Sequence, residues 1–210
     1  MKTEEQRNFD KEAAQWDAKA ARVKLVAEIS AAIIREIKPT RDMDVLDFGC
    51  GTGLLMLAVQ PLVKSVTGAD NSQGMLSVLE GKIREQGLTN AYAKYVDFEK
   101  GGRIEGSYDL IVSSMALHHV RDTAGLFAQW HALLRPEGRV CFADLDTEDG
   151  SFHPDNAGVF HFGFDRNKVK DLLREAGFHD TRDLTATTMM RDVAGGGERE
   201  FSIFLISAKK

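Results

Sequence analysis

The chain has 210 residues, the size of one ordinary domain, and its 43% hydrophobic fraction suffices for a sizeable core and excludes global disorder. Twenty-seven Lys and Arg against 32 Asp and Glu leave a net charge of −5, which argues against a polyanion-binding protein. The longest apolar run, 54–59, has six residues where a membrane span needs about 20. The start, MKTEEQRNFDKE, lacks the apolar core of a secretory signal, and Cys50 and Cys141 form neither a disulfide framework nor a metal cluster, which points to a reducing cytoplasm.

In chain order, Leu25, Ile29, Ile33 and Ile37 stand four apart and predict a helix over 22–37 that Pro39 ends. A strand over 42–48 runs into a glycine cluster and then a helix over 54–60. A strand over 65–69 leads to a helix over 72–86, with Met75, Leu76, Leu79 and Ile83 inward and Gly87 as its stop. Strands follow over 91–96 and 108–113. Asp122 caps a helix carrying Leu126, Phe127, Trp130, Leu133 and Leu134 on one face, and Pro136 and Gly138 turn the chain into a strand over 139–143. Asp165 caps a helix that buries Val169, Leu172, Leu173 and Ala176 and stops at Gly177. Two strands, 182–190 and 199–207, close the chain; with only a glycine-rich connection around Gly195, Gly196 and Gly197 they predict a hairpin, one strand of which runs antiparallel. Strand–helix alternation predicts an α/β fold: seven strands, mostly parallel, with helices on both faces and ligands beyond the carboxyl ends of the strands.

The stretch Val45-Leu46-Asp47-Phe48-Gly49-Cys50-Gly51-Thr52-Gly53 carries the most chemistry. Glycines allow positive φ and let a ligand lie against bare backbone, where turn amides face it. The dinucleotide fingerprint G-x-G-x-x-G fails, because the third glycine comes one residue early, at Gly53.

With this loop the chain resembles the class I S-adenosylmethionine-dependent methyltransferases, of the small-molecule type, and four further motifs follow in that family's order. They are Asp70 at the end of the second strand, Asp97-Phe98 after the third, 108–113 followed by Leu117-His118-His119-Val120, and Leu134-Arg135-Pro136-Glu137-Gly138-Arg139. The resemblance is close over about 20–145 and implies a doubly wound, Rossmann-like sheet. Glu137 departs from it, standing where the family commonly has a second glycine; Gly138 is left for the turn.

The cofactor implied is S-adenosyl-L-methionine, leaving as S-adenosyl-L-homocysteine, held by Gly49, Cys50, Gly51, Gly53, Asn71 and Ser113 among others. Asp70 is expected to clamp the ribose hydroxyls, with a helix cap as its other reading. Asp47 faces the amino-acid end of the cofactor, directly or by orienting the glycine loop. Asp97 accepts from the adenine amino group. Phe98 lies against the ring or in the core, and Met75 touches adenine or fills the core. The segment 9–17 is similar to a lead-in in which an aromatic residue covers the cofactor, here Trp16; a helix packing Phe9 and Trp16 on the sheet edge is the alternative.

One domain over 1–210 is expected, with a helical cap at 1–40, a cofactor half at 41–145 and an acceptor side at 146–210. The long irregular stretch 144–165 is rich in Phe, His and acids and is either a structural loop or the acceptor pocket, with His153, His161, Asp144 and Asp146 in reach. His118 or His119 is a second choice of base; adjacent residues do not face one way on a helix or strand, so no metal site is expected. The function expected is methyl transfer to a small-molecule acceptor, with a non-catalytic cofactor-binding protein as the alternative. Nucleic acid and a membrane span are not expected as partners, and oligomeric state stays open.

Overall fold

The computed structural model of the protein describes residues 8–193 and 196–210. The residues at 1–7, read above as no secretory signal, and Gly195 lie outside them. The strands are β1 (Asp44–Phe48), β2 (Ser65–Asp70), β3 (Ala91–Tyr95), β4 (Tyr108–Ser114), β5 (Leu134–Leu145), β6 (His179–Asp192) and β7 (Glu198–Lys209). The helices are α1 (Phe9–Glu12), α2 (Ala20–Ile37), α3 (Leu54–Val59), α4 (Gln73–Glu85), α5 (Thr123–Leu133) and α6 (Arg166–Glu175).

The seven strands form one sheet in the order β3-β2-β1-β4-β5-β7-β6. The first five are parallel, and β7 runs antiparallel to both β5 and β6. The expected fold class is therefore found, and the antiparallel strand is the last one, inserted between β5 and β6. Strand order reverses between β1 and β4, the crevice where open α/β sheets bind ligands.

Period-two alternation divides the strand side chains between two cores. Val45, Val66, Leu110, Val112, Cys141, Ala143, Ile203 and Leu205 face α2, α3 and α4. Leu46, Ile111, Val140, Phe142, Phe204 and Ile206 face α5 and α6. The α2 stripe packs as its spacing predicts, and the wholly buried Phe127 and Trp130 of α5 lock against Phe142 at ring-centroid distances of 5.6 Å. Full burial of a side chain the size of Phe127 contributes about 2–3 kcal/mol.

The junction of α5 and β5 differs from expectation in its boundary and in the residue that turns. Leu134, placed on a helix face, begins β5 by pairing with Tyr108, and a register shift between Tyr108 and Leu110 absorbs the turn that follows. The residue that turns there is Glu137, at φ 64°, not Gly138. Gly138 is needed for close approach instead: a Cβ on it would stand 2.9 Å from the Arg135 carbonyl oxygen.

Candidate active site

A cavity of about 540 Å³ opens outside the carboxyl ends of β1, β2 and β4, at the strand-order reversal. Its floor is the glycine loop. Gly49 and Cys50 both donate their amides to the Ala69 carbonyl, which pins the loop to the end of β2. Gly49 has φ 66°, and a Cβ on it would lie 2.4 Å from that of Ala116, so only glycine fits. Gly51 has φ 53° and faces open space, where a ligand can meet backbone directly.

Asp70 accepts from the Gly51 amide at 2.8 Å and the Ser72 amide at 2.9 Å. These bonds draw its carboxyl down, yet burial dominates and raises it above the ordinary carboxylate range. The helix cap of α4 falls to Ser72, which accepts from the Met75 amide, so Asp70 lines the cavity with Asn71 and Met75. Asp47 is 1% exposed, and neither carboxylate oxygen has a hydrogen-bond partner. Burial, with the Asp70 charge adding to it, pushes its carboxyl well above the usual range. No amide of the glycine loop bonds to it; the Met56 amide of α3 partly offsets the rise, and the carboxylate lines the cavity. Ser114, at the end of β4, also has a buried, unpartnered hydroxyl in the cavity wall.

Trp16 lines the cavity, and its segment is helical throughout, the four-residue α1 running on into a 3-10 helix over Ala13–Ala18. The guanidinium of Arg22 stacks 3.5 Å from the Trp16 ring centroid. Asp10 accepts from the Ser72 hydroxyl at 2.6 Å and the Gly74 amide at 2.7 Å. Asp17 pairs with Lys82 at 2.6 Å and accepts from the Thr52 hydroxyl at 2.7 Å. Two carboxylates thus tie this strap to the N-terminus of α4 and to the glycine loop.

Not every expected residue reaches the cavity. Gly53 instead caps α3 at φ 85°, where a Cβ would meet Leu79 at 2.4 Å. Ser113 donates to the Phe48 carbonyl and is buried in the sheet. Phe98 lines the wall, but Asp97 caps a 3-10 turn and pairs with Lys100 at 2.8 Å. Neither Asp146, whose carboxylate is forked onto Arg166, nor His161, which donates to the Val120 carbonyl at 2.9 Å, is in the wall. Of 144–165 only Phe152, His153 and Pro154 line the cavity. The opposite wall, which sequence reasoning missed, is Met189, Met190, Arg191 and Asp192 of β6 with Glu198 of β7.

At one end of the cavity His118, His119 and His153 meet, with ring centroids 4.2–5.6 Å apart. Adjacent His118 and His119 share a side because 117–119 forms a 3-10 turn, a geometry outside the helix-or-strand choice. The Asp144 carboxylate, wholly buried behind them, accepts from His118 Nδ1 at 2.7 Å and from the Leu117, His118 and Leu145 amides. Burial pushes that carboxyl up, but the His118 ring and these donors outweigh it and hold it below the ordinary range. His119 Nδ1 lies 2.7 Å from the Gly158 carbonyl, which only accepts, so this nitrogen carries the proton. His153 Nε2 lies 3.2 Å from His118 Nε2.

The fold and this site define a doubly wound α/β protein with a glycine-loop crevice for a nucleoside-type ligand. Residues 45–138 match the methyltransferase domain family. The chain is 36% identical over 149 residues to an uncharacterized methyltransferase of Schizosaccharomyces pombe, covering 64% of this chain and 52% of that one. It is 31% identical over 111 residues to a ubiquinone biosynthesis O-methyltransferase of Colwellia psychrerythraea, covering 53% of this chain and 45% of that one. The fold is shared with phosphoethanolamine N-methyltransferase 2 of Haemonchus contortus, solved with S-adenosyl-L-methionine, at TM-score 0.71 and 15% identity over 97% of this chain and 60% of that one. Residues 45–138 thus carry a methyltransferase domain, and the proteins the chain is similar to are methyltransferases. It spans about half the length of the curated relatives it matches.

Proposed function

We propose that the protein binds S-adenosyl-L-methionine in the glycine-loop cavity and methylates a small apolar molecule through an oxygen atom. The observation that carries the cofactor half is the Asp47 carboxylate, buried and without a partner beside a glycine loop that leaves Gly51 backbone bare. A buried carboxylate of this kind is costly unless a cation meets it, and the cofactor's α-ammonium is such a cation. Asp70 retains oxygen lone pairs for ribose hydroxyls, while Phe98 and Met75 offer apolar surface to the adenine. The bound cofactor supplies a methyl group activated by the positive sulfur.

The chain's own residues do the rest. The strap carrying Phe9 and Trp16 covers the cavity and excludes water. Met115, Phe152, Met189 and Met190 form an apolar wall for the acceptor. His118, His119 and His153 meet the acceptor's polar atom, and an imidazole there accepts the proton of a hydroxyl. Support for oxygen as the attacking atom comes from this apolar cavity with one polar end and from the O-methyltransferase relative.

Calorimetry with S-adenosyl-L-methionine and S-adenosyl-L-homocysteine tests the cofactor half, with NAD as control. Micromolar binding of both sulfur compounds is expected, none of NAD, and a loss of tenfold or more in Asp70→Ala, equal to about 1.4 kcal/mol. Equal binding by the variant, or no binding by the wild type, overturns the proposal. Methyl transfer to a panel of phenols, with amines and thiols alongside, tests the acceptor half; an amine or thiol as the sole substrate overturns oxygen as the attacking atom.

A further inference from the structure

We infer that His118, His119 and His153 bind a divalent first-row transition cation on whose open positions the acceptor's oxygen docks. The docking half rests on the methyl-transfer reading above; the cation half does not. Three neutral imidazoles suit zinc, cobalt, nickel, copper or ferrous ions rather than the oxygen-seeking magnesium or calcium.

Three observations carry the inference. The first is convergence: one ligand nitrogen from each ring lies within 4.8 Å of the other two, and all three rings line the cavity. His118 Nε2 and His153 Nε2 are 3.2 Å apart, close to the separation of about 3.4 Å that two nitrogens at 2.1 Å take around a tetrahedral zinc. His119 completes the set, its ligand atom lying within 4.8 Å of the other two.

The second is outer-shell bonding. Ligating histidines typically donate the other ring N–H to a carboxylate or a backbone carbonyl, which fixes the tautomer and aims the free nitrogen at the metal. His118 does the first with Asp144, and His119 does the second with the Gly158 carbonyl. His118 thereby turns its lone-pair nitrogen, Nε2, to within 3.2 Å of His153, and the proton on His119 Nδ1 leaves Nε2 as that ring's lone-pair nitrogen.

The third is the His118–His153 contact. Two ring nitrogens at 3.2 Å need a positive atom between them, which a single proton provides in the metal-free protein. A cation takes that proton's place. Among the described residues three protein ligands converge, and the remaining positions open into the cavity, as in catalytic rather than structural metal sites. In the loaded protein the imidazoles are ligands, not bases. An acceptor hydroxyl bound to the cation becomes more acidic and releases its proton to solvent before its oxygen is methylated. This favours acceptors with two neighbouring oxygens, which chelate.

The experiment uses protein stripped by chelator and dialysed, then titrated with Co2+ by visible absorption and with Zn2+ by calorimetry. S-adenosyl-L-homocysteine binding is measured on the same samples. One cation per chain is expected at micromolar or tighter affinity, with the Co2+ spectrum of a nitrogen-rich, low-coordinate site. His119→Ala and His153→Ala should each weaken binding at least tenfold, and Asp144→Asn by 10- to 100-fold through the orientation of His118. His179→Ala, on the exposed edge of β6, should leave it unchanged. No saturable binding, or binding that survives both His119→Ala and His153→Ala, overturns the cation site. If S-adenosyl-L-homocysteine still binds in that case, the cofactor reading stands; if the cation binds and the sulfur nucleotide does not, the cofactor reading falls alone.

Discussion

Asp47 concentrates the opposition between stability and binding in one residue. Its carboxyl is raised by burial, so the folded protein holds a proton there more tightly than the unfolded chain does. A raised carboxyl costs stability as pH climbs above the unfolded value of about 4, and the cost levels off above the folded value. Asp47→Asn removes the charge and keeps the shape. We expect it to raise the ligand-free melting temperature at pH 7 by about 2–4 °C per kcal/mol relieved, while weakening S-adenosyl-L-homocysteine at least tenfold. Thermal melts with and without the ligand check both halves. Loss of stability without loss of binding would give Asp47 a structural role. The sequence singled out Asp47, Asp70, Gly49, Gly51 and Trp16 because each belongs to a strand end or a recognisable motif, and all five line the cavity. It misplaced Asp97 and His161, whose side chains choose between the cavity and nearby backbone or basic partners, a choice made by neighbours remote in sequence.

At the scale of elements, β5 shows what propensity alone conceals. Leu134 has helical spacing, but it pairs with Tyr108, and the chain then turns at Glu137 with φ 64°. A non-glycine residue in this conformation is strained by about 1 kcal/mol, and Glu137 is exposed. Glu137→Gly is therefore expected to stabilise the protein only slightly, by up to about 0.5 kcal/mol after the added backbone freedom of the unfolded chain is subtracted. Urea unfolding measures it; a destabilised variant would show that the Glu137 side chain holds the turn by contacts stronger than its strain. The 3-10 turn at 117–119 escaped sequence reading for a related reason. Short turns have no periodicity long enough to register, yet this one brings two adjacent imidazoles to the same side.

For the molecule as a whole, strand–helix alternation and turn chemistry made the sheet, its parallel part and the closing hairpin legible. The hairpin's second role was not legible: β6, at 14 residues, carries Met189, Met190 and Arg191 to the cavity mouth. A strand's register is set by pairing with β7, and no local motif announces which residues overhang a site. The cavity is therefore assembled from the first described turn of the chain to its last hairpin, and its two ends differ in chemistry, carboxylates at one and imidazoles at the other. None of the helices among the described residues is long and apolar enough to cross a membrane.

The strap across the cavity is held by charge. Asp17 and Lys82 are partly exposed, with 31% and 22% of their side chains open to solvent, so salt weakens their attraction without abolishing it. Asp17 grips Thr52 of the glycine loop as well, and Asp10 grips the start of α4, so the strap closes on the elements that floor the cavity. A latch of this kind does not distinguish a fresh ligand from a spent one. Moderate salt, or Asp17→Asn, is expected to speed dissociation of S-adenosyl-L-homocysteine severalfold in stopped-flow displacement; unchanged dissociation would make the strap a passive wall. The residence time of the product, and with it the ceiling on turnover, is then written into an ion pair that touches neither reactant.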